Sequence, residues 1–269
     1  MAAQKQLKPT ITKHLAGHWY WADLQTPDLE GATSFYSALF DWDTQDMPTG
    51  DGIYRMAFKD GQPVAAMNEQ LQQQRDAGIP PHWFNYLTTD DIDATTAKVA
   101  GLGGTVLEQP FDVMDAGRMA IVQDPTGATF ALWQAGNHAG TTIMGGEHGT
   151  LSWFELRTTD AAKALEFYCG LFDFTVEAND MGSGITYHVL SAGGEQSCGV
   201  MQLVGDMIGM PTEWTTFFAV DDVDATIARA KELGATVQYE PHDIPDVGRF
   251  SVMSDPQGAA LQLFTPLSR

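Results

Sequence analysis

Cysteine is scarce in this sequence, with Cys169 and Cys198 the only two among 269 residues. Both stand in apolar patterns, which favours buried free thiols over a disulfide framework. Free thiols suit a reducing compartment, and the first residues lack the apolar core and cleavage pattern of a secretory signal. We therefore predict a cytoplasmic protein.

Basic side chains are also few, because 14 lysines and arginines stand against 35 acidic residues and give a formal net charge of −21. Nucleic-acid binding needs a basic surface that releases counterions from the phosphate backbone, so DNA and RNA are poor candidates as partners. No apolar run approaches the roughly 20 residues that cross a bilayer, so no membrane partner is expected. The acidic surface suits solubility, and it would also attract a cationic ligand.

The sequence does contain an internal repeat, which reveals architecture more directly than local propensity does. The segment WADLQTPDLEGATSFYSALFDW beginning at Trp21 matches WFELRTTDAAKALEFYCGLFDF beginning at Trp153. Further along, TTDDIDATTAKVAGLGGTV matches AVDDVDATIARAKELGATV, and DVMDAGRMAIVQDPTGATFAL matches DIPDVGRFSVMSDPQGAALQL. We predict an N-terminal tail at 1–16, a first domain at 17–134, a glycine-rich linker at 135–149 and a second domain at 150–266.

Each copy divides into two units of one strand, one helix and three strands. Asp28 and Asp91 each precede an amphipathic stretch and so predict helix starts, and Gly103 predicts the end of the second helix. Alternating segments punctuated by turns follow each helix, as is typical of hairpins. The segment Asp124-Pro125-Thr126-Gly127 fits a structural type I turn. The sequence predicts an α+β fold in which four βαβββ units form curved mixed sheets around open cups.

The repeated motifs resemble those of the vicinal oxygen chelate superfamily, which includes glyoxalase I, bleomycin-binding proteins, fosfomycin-resistance enzymes and extradiol dioxygenases. They are TPDLEGATSFYSALFDW, the DDxDAT helix starts at Asp90 and Asp221, and GRxxxxxDPxGAxxxL at Gly117 and Gly248. The likeness runs from about Gly17 to Pro266 and is greatest to actinobacterial two-domain proteins labelled glyoxalase-like or hydroxylase. It implies tandem vicinal oxygen chelate domains.

The same resemblance implies four His or Glu ligands in one cup of the metal-dependent members. Carried over by motif, these positions fall on Trp21, Phe84 and Ala131 in copy one and on Trp153, Thr215 and Gln262 in copy two, with the middle position near Met56 and Val189. None of these is His, Asp, Glu or Cys, so we predict no standard metal site and no cofactor. A shifted site built on His82 and Asp23 stays open as an alternative.

Alternation along the strands sends residues two apart to the same face of a sheet and so predicts what lines the cups. Asp23 and Glu155 are the candidate catalytic residues, because a carboxylate beside aromatic rings could act as a general base or pair with a cation. A purely structural hydrogen bond is the alternative for both. The other predicted ligand-binding residues are Trp21, Gln25, His82, Phe84, Tyr86, Thr129 and Trp133 in copy one and Trp153, Arg157, Thr215, Phe217, Gln262 and Phe264 in copy two.

The remaining charged candidates have structural interpretations. Arg118 and Arg249 follow a glycine beside a turn, which favours structural ion pairs over substrate binding. Surface or hinge positions are expected for His14, His18, His138, His148, His188 and His242.

Three functions are compatible with these features. We predict a metal-independent protein that binds a planar aromatic natural product, with or without a cationic group, for sequestration in antibiotic resistance or a tailoring step in antibiotic biosynthesis. The first alternative is a metal-free hydroxylase, isomerase or cyclase that uses Asp23 or Glu155 as base. The second is a metal-dependent glyoxalase or dioxygenase with a non-standard site. A monomer and a homodimer are both compatible, and copy one is favoured as the functional cup.

Overall fold

The computed structural model describes residues 11, 13–50, 52–182 and 184–267, so most of the tail predicted at 1–16 lies outside the described residues. Copy one contains β1 (Trp19–Thr26), α1 (Leu29–Phe40), β2 (Asp43–Thr49), β3 (Gly52–Lys59), β4 (Gln62–Glu69), α2 (Gln72–Asp76), β5 (His82–Thr88), α3 (Ile92–Val99), β6 (Thr105–Val113), β7 (Gly117–Gln123) and β8 (Thr129–Ala135). Copy two contains β9 (Thr150–Thr158), α4 (Ala161–Leu171), β10 (Thr175–Asp180), β11 (Thr186–Ala192), β12 (Glu195–Gln202), β13 (Glu213–Ala219), α5 (Val223–Glu232), β14 (Thr236–Ile244), β15 (Gly248–Ser254) and β16 (Ala260–Pro266).

Each copy forms one eight-stranded mixed sheet, in the order β2-β3-β4-β1-β5-β8-β7-β6 and its counterpart β10-β11-β12-β9-β13-β16-β15-β14. The first strands of the two units lie side by side and antiparallel at the centre of the sheet. Each concave face is therefore built within a single copy. This architecture confirms the α+β fold with two tandem domains made from four βαβββ units.

The helices begin where the sequence predicts them. The side chain of Asp28 accepts a hydrogen bond from the backbone N–H of Gly31 at 2.9 Å, and Asp91 accepts one from Ala94 at the same distance. These bonds satisfy N–H groups that have no partner inside the helix. Beyond the C-terminal end of the second helix, Gly103 adopts the left-handed backbone conformation with φ +84°. Residues that carry a Cβ atom rarely adopt this conformation.

The two copies share one hydrophobic core, formed by the convex faces of both sheets together with their helices. Trp19 of copy one lies 4.1 Å from Trp214 of copy two, measured between ring centroids. Phe218 of copy two packs against Phe40 and Trp83 of copy one, with centroids 5.1 and 4.9 Å apart. The duplication therefore produces a single folded body around a common core.

Reciprocal hydrogen bonds cross this core. The hydroxyl of Tyr36 in copy one donates to Asp255 Oδ2 in copy two at 2.9 Å, and Tyr168 in copy two donates to Asp124 Oδ2 in copy one at 3.0 Å. The other oxygen of each aspartate accepts backbone N–H groups of its own turn. The predicted turn at Asp124 is confirmed, and the same turn recurs at Asp255 in copy two. Both aspartates also join the copies, which the turn motif did not predict.

The expected ion pairs of the two arginines and the free thiols are also confirmed. Arg118 pairs with Asp93 and Asp112, and Arg249 pairs with Asp224 and Asp243. Both cysteines are free thiols, with Cys198 buried and Cys169 half-buried. Within the described residues, no helix has the length and apolar character needed to cross a membrane.

Candidate functional site

The concave face of copy one carries a cluster of aromatic side chains. Strand pairing places Trp21 opposite Tyr86 and Asp23 opposite Phe84, and Trp133 lies on β8 beside them. The rings of Phe84 and Tyr86 meet edge to face at 5.6 Å, and those of Tyr86 and Trp133 at 6.1 Å. All four aromatic side chains are buried. The cup of copy one is therefore largely filled by its own rings.

Asp23 lies at the centre of this cluster and is only 2% exposed. Its Oδ2 accepts hydrogen bonds from the hydroxyls of Tyr86 at 2.5 Å and Tyr54 at 3.2 Å. The Tyr54 hydroxyl in turn accepts a hydrogen bond from Trp21 Nε1 at 2.8 Å. The second carboxylate oxygen, Oδ1, is buried and has no hydrogen-bond partner among the described residues.

Burial controls the protonation of this carboxyl group. Loss of solvation raises the pKa of Asp23 from 3.8 to about 6, although the hydrogen bonds from Tyr86 and Tyr54 and the polar side chain of the nearby Gln25 act in the opposite direction. No ion pair to Asp23 is found in the described part of the chain. The group can therefore change its protonation near neutral pH, and its free oxygen can receive a hydrogen bond or a proton from a bound molecule.

Gln25, His82 and Thr129 lie on the same concave face but are engaged by neighbouring segments. Gln25 Oε1 accepts a hydrogen bond from Gln74 Nε2 of α2 at 2.6 Å. His82 stands opposite Gln25, its Nδ1 lies 2.9 Å from a backbone carbonyl oxygen, and burial lowers its pKa. The Thr129 hydroxyl accepts a hydrogen bond from Gln123 at 3.4 Å. These three residues border the aromatic cluster.

Copy two repeats the aromatic pattern of copy one. Trp153 Nε1 donates to the hydroxyl of Tyr187 at 2.8 Å, as Trp21 does to Tyr54. Phe217 is buried opposite Trp153, and Phe264 is half-buried one strand farther along. The side chain of Thr215 donates to the backbone oxygen of Glu155 at 3.1 Å.

The acid of copy two has a cationic neighbour. Arg157 Nε lies 3.1 Å from Glu155 Oε1, and both side chains are largely buried. With its amide oriented to satisfy both neighbours, Gln262 accepts from Arg157 Nη2 at 2.7 Å and donates to the Thr216 carbonyl at 2.8 Å. Glu155 is thus held in an internal ion pair, whereas one oxygen of Asp23 has no partner in the described part of the chain.

His138 completes the aromatic cluster of copy one, contrary to the expectation of a surface or hinge position. Its ring lies edge-on to Trp21 at 4.4 Å and 6.3 Å from the ring of Trp133. Burial lowers the pKa of His138 to about 4, and its buried Nε2 has no partner among the described residues. The expectation fails because the linker folds back over copy one, where the His138 N–H donates to the Ala116 carbonyl at 3.0 Å.

The expected surface or hinge position is also wrong for His18. This side chain is 4% exposed, and its Nε2 lies 3.0 Å from the carbonyl oxygen of Ala192 in copy two. It therefore belongs to the contact between the copies.

Tyr54 was missed by the sequence reading, although a signal was available. Continuing the repeat through β3 would have aligned it with Tyr187, allowing for a one-residue difference in the preceding loop. His138 offered no comparable signal, because the linker has no periodicity.

The residues at the family's metal positions do not fit a metal ion. Trp21, Phe84 and Ala131 occupy three of the positions in copy one, and Met56 lies opposite Ala66 at the fourth. Across the described residues, no group of three or more His, Cys, Asp and Glu side chains is close enough to hold a metal ion. The alternative that combines His82 with Asp23 therefore lacks a third protein ligand.

Comparison with known families agrees with this fold. A family model described as the Glyoxalase/Bleomycin resistance protein/Dioxygenase superfamily matches residues 13–132 and 150–263. The chain belongs to this superfamily. Among solved structures of similar fold, the Mn(II)-bound glyoxalase from Novosphingobium aromaticivorans has a TM-score of 0.65 and 14% identity, covering 94% of this chain and 83% of that protein. At such identity the likeness concerns the fold alone.

Two relatives are similar in sequence to this chain over nearly their whole length. One is CFP32 of Mycobacterium tuberculosis, which carries a provisional name as a glyoxylase. It is 43% identical to this chain over 260 residues, covering 96% of this chain and 98% of that protein. The anthracycline biosynthesis protein DnrV of Streptomyces peucetius is 35% identical over 267 residues, covering 94% of each chain.

Proposed function

We propose that copy one binds a planar aromatic product of secondary metabolism without the help of a metal ion. The observation that carries this proposal is the state of Asp23, which is buried among aromatic rings with one oxygen unpartnered. A buried polar atom without a partner is costly, and a ligand that supplies a hydroxyl or ammonium group removes that cost. The aromatic rings supply stacking surface for a flat molecule, worth ~0.5 to 1.5 kcal/mol per ring pair.

Binding at this position requires side chains of the cup to move. Met56 and Met119 border the aromatic cluster and are only partly buried. Methionine adapts its shape readily, because it is unbranched and has several rotatable bonds. We infer that these two side chains change rotamer to admit the ligand, which then contacts Asp23 Oδ1 and the neighbouring His138 Nε2.

The names of relatives support a place in antibiotic metabolism. The proteins DnrV and DauV of two streptomycetes are both named for anthracycline biosynthesis. We accordingly propose a ligand of the hydroxylated polycyclic type, either sequestered or presented for a tailoring step. The free thiols Cys169 and Cys198 are compatible with action in the cytoplasm.

Proton abstraction by Asp23 is the second candidate function. A carboxyl group with a pKa of about 6 is suited to act as base near neutral pH, and Tyr54 and Tyr86 hold it in place. Glu155 is a weaker candidate for this role, because Arg157 occupies its carboxylate.

Titration with a hydroxyanthraquinone, followed by quenching of tryptophan fluorescence, tests the proposal. We expect saturable quenching. Asp23→Asn should weaken binding about tenfold, because it replaces a charged acceptor, whose hydrogen bond is worth ~1.5 to 3 kcal/mol, by a neutral one worth ~0.5 to 1.5 kcal/mol. Glu155→Gln is the matched control in copy two and should bind as the wild type does. Equal affinity of the wild type and Asp23→Asn contradicts the proposal.

Product analysis by mass spectrometry separates the binder from the enzyme. Bound ligand without a new mass supports sequestration, whereas a new product that disappears in Asp23→Asn supports base catalysis. Metal analysis of untagged, dialysed protein completes the test, since a stoichiometric divalent ion would contradict a metal-independent site.

A further inference from the structure

A second open space adjoins the cup of copy one. A groove of about 620 Å³ lies where β1 and β4 end, between the start of α1 and the β2–β3 hairpin. Leu29, Ile53 and Leu71 give it apolar walls, and the side chains of Ile53 and Leu71 are well exposed. The groove is large enough for part of a drug-sized molecule.

Tyr54 belongs to both the groove and the cup. It lines the groove, and its hydroxyl bonds to Trp21 and Asp23. Asn68 stands opposite Tyr54 on β4 and also lines the groove, and its buried Oδ1 has no partner among the described residues. A ligand that reaches from the cup past Tyr54 would therefore meet an unpartnered acceptor.

The groove carries negative charge from Asp28, Glu30 and Glu69. Glu30 lies 2.9 Å from Arg55, but that arginine is also bound by Asp46 at 2.6 Å. Glu69 lies 3.2 Å from Arg75, and both side chains are substantially exposed. Acids outnumber the basic groups around them, so the groove favours a cation.

Two of these three acids have no counterpart at the equivalent groove of copy two, whereas Asp28 is matched by Asp160, which caps α4. That groove measures about 320 Å³, and Ala162 and Gln202 stand there at the repeat positions of Glu30 and Glu69. No carboxylate occurs among its described lining residues. Glu30 and Glu69 are thus particular to the copy that contains Asp23, and their presence does not simply follow from the acidity of the whole chain.

We propose that the groove of copy one binds a protonated amine carried by the aromatic ligand. Glu30 and Glu69 supply the attracting charge, and Asn68 Oδ1 accepts a hydrogen bond from the ammonium group. This subsite rests on the proposed function, because the cup holds the aromatic part of the same ligand. It defines the ligand class as a planar aromatic cation.

Two probes with the same ring test the subsite: a neutral hydroxyanthraquinone and its derivative with an alkylammonium side chain. The wild type should bind the cationic probe about three- to tenfold more tightly at low ionic strength, and added salt should reduce that preference. The double variant Glu30→Gln, Glu69→Gln should lose most of the preference while binding the neutral probe unchanged. The matched control is Glu232→Gln with Glu240→Gln, two exposed and ion-paired acids of copy two, which should keep the preference.

The outcomes separate this subsite from the cup. Equal affinity of the wild type for both probes overturns the subsite, and so does a preference that survives in the groove variant. In either case, binding of the neutral probe that depends on Asp23 leaves the cup proposal standing. If the wild type binds neither probe, the cup and the subsite both fall.

Discussion

At the scale of single residues, equivalent positions in the two copies acquire different chemistry from their neighbours. Asp23 and Glu155 stand at the same point of the repeat, yet only Glu155 has an arginine two residues along its strand. An ion pair stabilises a buried carboxylate, whereas desolvation without a cation favours the protonated form. The side chain at the next inward position therefore decides whether each acid is held in an ion pair or remains without a cationic neighbour.

The raised pKa of Asp23 predicts a cost in stability at neutral and alkaline pH. Between about pH 4 and 6 the folded carboxyl keeps a proton that the unfolded chain has lost, so stability falls as pH rises through this window. A shift from 3.8 to about 6 corresponds to a cost on the order of 3 kcal/mol above pH 6. Asp23→Asn should therefore be more stable than the wild type at pH 8 and nearly equal at pH 4.

Thermal unfolding at both pH values measures this difference. The exposed Asp173→Asn provides a control in which stability should follow the wild type at each pH. A melting temperature of Asp23→Asn below that of the wild type at pH 8 would show that the ionised carboxylate is stabilised in the fold.

A second prediction concerns His138. Phenylalanine retains a flat ring against Trp21 but removes the unpartnered Nε2. The free energy of unfolding of His138→Phe should lie within about 1 kcal/mol of that of the wild type, because the imidazole makes no hydrogen bond to the described residues that the substitution would remove. The affinity of the same variant for the hydroxyanthraquinone, measured by fluorescence titration, should be several-fold lower than that of the wild type. Undiminished affinity would restrict His138 to a packing role.

At the scale of elements, the parts that could be predicted are those encoded locally. The caps Asp28 and Asp91 and the Asp124 turn depend on backbone groups a few residues away, so sequence spacing alone identifies them. Strand alternation likewise assigns Trp21 and Asp23 to one face. Contacts between distant segments leave no such periodic signal, which is why the bond from Tyr168 to Asp124 and the position of His138 could not be predicted.

Tyr36 and Tyr168, whose hydroxyls bond across the contact between the copies, should contribute similar amounts to the free energy of unfolding. Each hydroxyl donates to an aspartate of the other copy and accepts from a buried tryptophan. Tyr36→Phe and Tyr168→Phe each leave a buried carboxylate oxygen and an indole N–H without this partner, which should cost ~1 to 3 kcal/mol. Denaturant unfolding checks the values, with the exposed Tyr239→Phe as control. A change of a few tenths of a kcal/mol at both positions would contradict the prediction.

At the scale of the whole molecule, the common core predicts that the copies unfold together. Trp19, Phe40 and Trp83 of copy one are buried against side chains of copy two, so neither copy completes its core alone. Calorimetry should give a single transition in which the calorimetric and van't Hoff enthalpies agree. Residues 17–134 expressed alone should expose this apolar surface and self-associate. Two separate transitions in the full chain would show that the copies are independent.

The reciprocal bonds from Tyr36 to Asp255 and from Tyr168 to Asp124 have the form of an isologous contact, in which each half gives the other what it receives. Two identical single-copy chains related by a two-fold axis would meet in the same way. Joining two such genes end to end preserves the contact. The sequences of the two halves can then change independently. The acid of one half can remain without an ion pair while the other half acquires an arginine beside its acid, a divergence that a symmetric assembly of identical chains does not permit.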